Sequence, residues 1–259
     1  MKYALIGGTG VDPSMLQDLK IVEVNTPYGE VELQEGSLND LELVFLSRHG
    51  SGHSIPPHRI NYRANIWALK SIGVTRIIAT NAVGSTNRLM RPGDLVIVDQ
   101  FLDFTKSRVH TFFDGEDTPV IHTDMTDPYC PELRLTFLKV AQDKGIKLHS
   151  RGCYACFEGP RYESAAEIRM VSILGGDLVG MTGVPEVVLA REAGICYASI
   201  AMVTNMGAGI AATPLSHEEV VEVMEKNEAQ LRELLLHSLN EIPKNFSCAC
   251  SKDKQPLIG

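Results

Sequence analysis

The chain has 259 residues, of which 44% are apolar, and it carries a formal net charge of −8 at pH 7. This length provides ample core for one large domain or two small ones. An acidic chain is poorly suited to bind nucleic acid or an anionic membrane surface, although a few local donors are enough to bind a small anion. The six cysteines do not make a chain of this length a secreted disulfide scaffold.

The apolar residues alternate between strand-length runs and helices with one apolar face. Strands are predicted at 3–7, 41–47, 76–81, 95–99, 147–157, 178–181 and 196–204. A short early hairpin is predicted between 31–34 and 41–47. Helices are predicted at 61–72, 132–144, 164–174, 185–193 and 217–239. This order is typical of an α/β protein in which helices cover a central sheet.

The chain contains no repeat, low-complexity tract or linker, so we expect one domain over residues 1–242. Residues 243–259 form a polar tail that contains cysteines, and we expect this tail to be loosely held. The apolar runs are too short to span a membrane, and the start of the chain is too short for a signal peptide before the first glycines. We therefore expect a cytoplasmic protein.

Two pairs of cysteines have close spacing. Cys153 and Cys156 fall on a predicted strand, where side chains three residues apart point to opposite faces, so core packing is expected for them. Cys248 and Cys250 lie in the polar tail, where redox or disulfide chemistry is an alternative. The sequence leaves the disulfide state of four cysteines open: Cys130, Cys196, Cys248 and Cys250.

Three strand ends offer groups that suit an anion. The glycines around Thr9 let backbone amides approach an anion, and Thr9 adds a hydroxyl. Arg48 and His49 follow the strand at 41–47, and the planar fork of arginine suits an oxyanion. The small residues at 80–85 offer further amides where a strand meets the crevice of the sheet. The alternatives are an ordinary tight turn, a surface loop with one ion pair, and a plain strand-to-loop turn.

Other segments suit a heterocyclic base. Tyr162 is able to stack on a base, and Glu163 is able to accept hydrogen bonds from ring N–H groups, unless it is simply an acid in the first turn of a helix. Asn205 ends the strand at 196–204 and offers an amide side chain. Met181 follows another strand, where core packing is the commoner role. A chain that binds both an anion and a base points to nucleoside chemistry.

These segments, in this order, resemble the trimeric purine nucleoside phosphorylase and methylthioadenosine phosphorylase family. The similarity covers residues 3–239, and its most specific stretches are 65–70, 91–101, 158–161 and 181–190. It implies a single α/β domain with a central mixed, partly barrel-like sheet flanked by helices. It also implies a homotrimer or a dimer of trimers (a homohexamer), with phosphate as co-substrate, no metal or other cofactor, and no nucleic-acid or membrane partner.

The resemblance also implies roles for individual residues. The phosphate-binding residues would be Thr9, Arg48, His49, Asn81, Ala82 and Thr182. The nucleoside-binding residues would be Tyr162, Glu163, Met181, Asn205, Gly207, His217 and His122, the last of which reaches the sugar in the neighbouring subunit. The catalytic roles would fall to Asn205, Glu163 and His49.

Three positions separate the branches of the family. Asn205 stands where the methylthioadenosine enzymes have an aspartate, and an amide is able to donate to N7 and to pair with a 6-oxo group. Glu163 stands where that branch has a serine, and it would accept from the N1–H of a 6-oxopurine, which adenine lacks. His217 matches a histidine that binds the ribose 5′-hydroxyl, where the methylthio branch has an apolar residue.

We therefore expect a purine nucleoside phosphorylase, a glycosyltransferase of the pentosyl class that serves purine salvage. It would convert inosine or guanosine and phosphate reversibly to the free base and α-ribose 1-phosphate. S-methyl-5′-thioinosine or S-methyl-5′-thioadenosine phosphorylase is the rival within the class, and a non-catalytic nucleotide-binding protein is the rival outside it. The sequence leaves open the preference among inosine, guanosine and methylthioinosine, and the choice between trimer and hexamer.

Overall fold

The computed structural model describes residues 2–8, 11, 13–38, 41–50, 52, 54–116, 118–211, 216–243 and 248–251. Eleven strands and five helices are present in this part of the chain, and the strands form one mixed sheet. None of the helices described is long and apolar enough to cross a membrane. The prediction of a single α/β domain with a central mixed sheet is confirmed.

The elements follow one another in the predicted order. The strands are β1 (Lys2–Gly7), β2 (Gln17–Thr26), β3 (Gly29–Leu38), β4 (Leu41–Ser47), β5 (Val74–Ser85), β6 (Leu95–Ile97), β7 (Gln100–Phe104), β8 (Leu148–His149), β9 (Cys153–Phe157), β10 (Leu178–Gly180) and β11 (Cys196–Met206). The helices are α1 (Tyr62–Ser71), α2 (Pro131–Lys144), α3 (Ala165–Ile173), α4 (Gly183–Glu192) and α5 (His217–Glu241).

Two strands and one break were not predicted. β2 is a largely exposed edge strand that pairs only with β3, so its charged residues hide the usual apolar signal. β7 is only partly buried beside β9. The predicted strand at 147–157 is split into β8 and β9. At the break the amide of Gly152 donates to Asp99 over 2.9 Å, and a side chain at Gly152 would lie 2.6 Å from Val96.

The sheet branches at β5. The order β2-β3-β4-β1-β5-β10-β9-β7 runs along the sheet, while β11 pairs with β5 and with β6. β1 is parallel to β4 and β5, and β5 is parallel to β11. Their carboxyl ends therefore meet at one edge, where ligands bind in open α/β sheets. At that edge Gly7 lies beside Ser47, and Gly84 lies beside Asn205.

Helices cover both faces of the sheet. Side chains of α1 and α4 join one cluster of buried apolar residues, and side chains of α2 and α5 join another. The two layers enclose β5 and β11, and every residue of β11 except Met206 is buried.

The cysteines divide into two groups. On β9 the side chain of Cys156 is buried and that of Cys153 is half-buried, in line with the expected packing role. In the polar tail the structure describes Pro243 and residues 248–251, and there Cys250 is buried against the cluster shared by α2 and α5. Cys248 and Cys250 thus place this short segment against the apolar cluster.

Candidate active site

A cavity of about 160 Å³ opens at the edge where β1, β4, β5 and β11 end. Polar groups from several segments converge there although they are far apart in the sequence. The predicted site residues that line it are Arg48, His49, Asn81, Ala82, Tyr162, Glu163, Met181, Thr182 and Asn205. The structure thus brings together the residues singled out for an anion and those singled out for a base.

Two of the predicted residues that the structure describes, Gly207 and His122, are not part of this lining. Gly207 is buried beside the cavity, where its amide donates to the carbonyl of Ser85 over 2.7 Å. His122 is an exposed residue in the long segment between β7 and α2. Thr9 lies outside the described residues, and so does the side chain of His217.

Arg48 is the cationic group of the cavity. The residue is only 2% exposed, and its Nη1 donates to the carbonyl of Thr80 over 2.9 Å. Nε and Nη2 donate to the two carboxylate oxygens of Glu186 over 2.5 and 3.0 Å. A guanidinium has five N–H donors, so two remain for a ligand. A side chain at Gly8 would lie 2.9 Å from Nη1, so only glycine leaves this approach open.

Glu186 was not assigned a role from the sequence. It is fully buried in the first turn of α4, and it also accepts a hydrogen bond from the hydroxyl of Tyr197 over 2.9 Å. Burial alone would lower the pKa of Arg48, but the charge and hydrogen bonds of Glu186 outweigh burial and raise it above its usual value. Glu186 therefore keeps Arg48 charged and fixes the plane of its guanidinium.

A main-chain carbonyl group holds the ring of His49 in place. Its Nδ1 lies 2.8 Å from the carbonyl oxygen of Ile55, which is only able to accept, so Nδ1 carries the hydrogen. In that tautomer Nε2 donates to an anion only when the ring is cationic. A bound phosphate would therefore favour the charged ring of His49.

A chain of hydrogen bonds orients two further groups at the anion end. Ser199 donates to Oδ1 of Asn81 over 2.7 Å, and Nδ2 of Asn81 donates to the hydroxyl oxygen of Thr182 over 3.0 Å. The Thr182 hydroxyl accepts this bond, so its own hydrogen is left to point at a ligand. The amides at the start of α4, those of the N-cap Thr182 and of Gly183, are not available to a ligand, because both donate to the hydroxyl of Tyr154.

We expect Tyr154→Phe to destabilise the protein, since it leaves two buried amides, at 3.1 and 3.3 Å from the lost oxygen, without an acceptor. One unsatisfied buried donor costs about 1–3 kcal/mol, and urea denaturation measures the loss. Tyr129→Phe is the matched control, because Tyr129 is also a buried tyrosine, but the amides of Thr182 and Gly183 do not donate to its hydroxyl. Equal losses in the two variants would contradict the role of Tyr154.

Glu163 is the unsatisfied acid of the cavity. It is 8% exposed, and its Oε1 is buried without a hydrogen-bond partner among the described residues. Burial raises the pKa of Glu163 to about 7, with a further increase from Glu167 and an opposing effect of Arg161. A buried acceptor without a partner is costly, so this carboxyl group is poised to meet a donor on a ligand.

Asn205 has a fixed amide orientation. The hydroxyl of Thr204 lies 2.9 Å from its Oδ1, and its Nδ2 donates to the carbonyl of Met206 over 3.0 Å. One N–H of the amide is left for a ligand in the cavity. A methyl group on Gly84 would lie 3.0 Å from Nδ2, so the glycine gives the amide its space.

Arg108 is a second buried arginine that sequence reasoning missed. It donates to the carbonyls of Phe157 and Glu158 over 3.1 and 2.6 Å, and to the carbonyl of Met181 over 2.5 Å. Arg108 thereby joins the end of β9 to the segment after β10. These two segments lead to Glu163 and Met181, which were singled out for a base. Arg108 lies in an irregular segment with no motif, so no local pattern could have identified it.

Comparisons with known proteins identify the family of the chain. The model of the phosphorylase superfamily matches residues 2–240. A probable 6-oxopurine nucleoside phosphorylase of Moorella thermoacetica is 57% identical over 97% of both chains, and the 6-oxopurine nucleoside phosphorylase of Pyrococcus furiosus is 53% identical over 96% of both. The structure of methylthioadenosine phosphorylase from Schistosoma mansoni with adenine is similar with a TM-score of 0.89 at 36% identity, covering 95% of this chain and 93% of that one.

Proposed function

Since the chain belongs to the phosphorylase superfamily, we propose that it is a purine nucleoside phosphorylase specific for 6-oxopurine nucleosides. The membership confirms the resemblance seen in the sequence. The proposed reaction converts inosine or guanosine and phosphate reversibly to the free base and α-ribose 1-phosphate. It needs phosphate as its co-substrate and no metal or organic cofactor, and it serves purine salvage in the cytoplasm.

One observation carries the proposal. The unsatisfied Oε1 of Glu163 and the fixed amide of Asn205 line the same cavity as Arg48. A 6-oxopurine offers N1–H to a carboxylate, and it offers the acceptor N7 to the one N–H that remains on the Asn205 amide. Adenine has a lone pair at N1, so it would leave Glu163 unsatisfied, and a site built to bond a polar group rejects an analogue that lacks it.

The phosphate would occupy the other end of the cavity. Arg48 has two donors left, and the Thr182 hydroxyl keeps its hydrogen for a ligand because Asn81 supplies the bond that it accepts. Cationic His49 and the amide of Ala82 would complete the anion site. Glu186 positions Arg48 for this task without touching phosphate itself.

The reaction follows from these two ends. As the bond between C1′ and N9 breaks, its electron pair moves to the purine and the sugar becomes oxocarbenium-like, as in glycoside cleavage. The phosphate anion stabilises that cation, and one of its oxygens then forms the new bond to C1′. The N–H of Asn205 stabilises the negative charge on the departing purine. The base finally takes up a proton through solvent, which balances the proton that hydrogen phosphate loses on forming the ester. No covalent bond to the enzyme is needed.

The phosphate requirement tests the reaction type. We expect hypoxanthine release from inosine to depend on added phosphate and to produce an equal amount of ribose 1-phosphate. Base release that is independent of phosphate and yields free ribose would contradict the proposal. Binding of inosine without turnover would favour the non-catalytic alternative instead.

A double variant tests whether Asn205 and Glu163 select the purine base. Asn205→Asp with Glu163→Ser should shift the ratio of kcat/KM from inosine toward adenosine, because it removes the acceptor for N1–H and replaces the amide by a carboxyl group. Asn205→Asp alone is the comparison. An unchanged preference in the double variant would contradict the assigned roles of both residues.

The pH profile tests the state of Glu163. Its carboxyl group is a stronger acceptor for N1–H when it is ionised, and burial raises its pKa to about 7. We therefore expect kcat/KM for inosine to rise as the pH increases through about 7 and then to level off, because kcat/KM reports groups of the free enzyme. Inorganic phosphate also titrates near neutrality, so Glu163→Gln serves as control. The same rise in both proteins would assign it to phosphate.

A specific observation keeps the methylthioinosine alternative in view. Val220 is buried in the first turn of α5, three residues after His217, and it lines the cavity. An apolar side chain near the sugar suits a 5′-methylthio group better than a 5′-hydroxyl. The base-reading residues would serve both substrates equally.

The proposed active unit is a homotrimer or a dimer of trimers. His122 is exposed and lies outside the cavity of its own chain, which fits its assigned contact with the sugar in a neighbouring subunit. Light scattering combined with size-exclusion chromatography measures the mass. An active monomer would contradict this proposal.

A further inference from the structure

Four cysteines from three parts of the chain meet at one point. Cys130 immediately precedes α2, Cys196 begins β11, and Cys248 and Cys250 lie in the segment at the end of the described chain. Their sulfur atoms all lie within 4.8 Å of one another, and the Sγ atoms of Cys196 and Cys248 are 3.3 Å apart.

The cluster is enclosed. Cys130, Cys250 and Cys196 are 0%, 4% and 7% exposed, and Cys248 is half-buried against the same apolar cluster of α2 and α5. Single buried cysteines commonly act as small apolar residues. Four of the six cysteines of the chain meet here, however, and packing alone does not require their sulfurs to converge.

The spacing of the sulfurs suits a tetrahedral metal site. Zinc binds thiolates at about 2.3 Å, which places the sulfurs at the corners of a tetrahedron with edges of about 3.8 Å. A disulfide joins sulfurs in pairs at about 2.03–2.05 Å and gives no reason for a second pair to approach the first.

We propose that Cys130, Cys196, Cys248 and Cys250 form a structural site for one thiophilic divalent metal ion, with zinc as the best fit. Four thiolates fill a tetrahedral site and leave no open position, which is typical of structural zinc. The thiols release their protons to solvent as the ion binds. The ion would join the end of the chain to α2 and to the start of β11.

The proposed metal is separate from the reaction. Cys196 and Asn205 stand near opposite ends of β11, and nine residues of extended strand span about 30 Å. The ion therefore does not reach the cavity, and the proposal holds whether or not the proposed activity does. The expectation that phosphorolysis needs no metal is unaffected.

Elemental analysis of the full chain tests the site. The protein is purified without chelator and is then incubated with Zn²⁺ under reducing conditions and desalted. We expect one zinc ion per chain in the wild type, and none in Cys248→Ser or Cys250→Ser. Cys153→Ser is the matched control, because Cys153 is a half-buried cysteine outside the cluster, and it should keep the metal.

Two further measurements on the wild type apply even when a variant fails to fold. Titration of thiols in denaturant with chelator should give six thiols per chain, whereas two disulfides within the cluster would leave two. Replacement by Co²⁺ should give the charge-transfer and ligand-field bands of a tetrahedral cobalt thiolate. A chain that binds no metal, or a count of two thiols, would overturn the proposal.

Discussion

Asn205→Ala is expected to lower kcat for inosine about 10²–10³-fold, equivalent to about 2.7–4 kcal/mol, if the amide acts like the donor of an oxyanion hole. Thr204 and Met206 hold the amide in place before the substrate binds. The amide therefore needs no reorganisation when charge develops on the purine, and preorganised donors of this kind contribute most in a site that excludes water. Steady-state kinetics with inosine at saturating phosphate measures the effect.

Phosphate binding at the other end of the cavity provides the control for this variant. Asn205 is not part of the anion site, so KM for phosphate should stay close to that of the wild type in Asn205→Ala. Phosphate binding in the presence of free base gives the same comparison at equilibrium. Turnover of inosine near the wild-type rate would show that the amide does not stabilise the leaving base.

Glu186→Gln is expected to lower the free energy of unfolding by about 3–5 kcal/mol, because it leaves the charge of Arg48 buried and unpaired. Both side chains of the ion pair are only 1% exposed, so solvent does not screen the loss. The variant has nearly the shape of the wild type, and its amide nitrogen would face the N–H groups of Arg48. We also expect KM for phosphate to rise, since the guanidinium is no longer held in place.

Tyr197→Phe is the matched control for Glu186→Gln. It removes one hydrogen bond from the same carboxylate but leaves both bonds to Arg48, so it should cost about 1.5–3 kcal/mol and change KM for phosphate little. Urea denaturation and phosphate kinetics of the two variants are compared. Wild-type stability and phosphate KM in Glu186→Gln would contradict the role assigned to the ion pair.

The strands and helices that form the site were predictable because their signals are local. Apolar runs of strand length gave β1, β4, β5 and β11, and the polar residues just beyond their ends marked the cavity edge. Arg48 and Asn205 were identified in this way. β2 was missed because its exposed, charged face does not show the apolar pattern of a buried strand.

The groups that support the site were not predictable, because their partners are far away in the chain. Glu186 and Arg48 are 138 residues apart, and an acid in the first turn of a helix is ordinarily explained by the helix dipole. Arg108 acts through backbone carbonyls, which leave no trace in the sequence. Specific contacts between distant segments exist only once the sheet has formed.

The cysteine cluster shows the same limit. The sequence pairs Cys248 with Cys250 by their spacing, but it does not show that Cys130 and Cys196 lie beside them. The spacing of the pair therefore left redox and disulfide chemistry open, whereas the folded chain brings four sulfurs together.

The most direct test of the proposed specificity is phosphate-dependent base release from inosine, adenosine, methylthioinosine and methylthioadenosine, measured side by side as kcat/KM. The roles of Glu163, Asn205 and His217 predict that inosine is well ahead of the other three substrates. Methylthioinosine ahead of inosine would keep the base-reading roles but contradict a contact of His217 with the 5′-hydroxyl. Adenosine or methylthioadenosine in front would contradict the 6-oxopurine assignment itself.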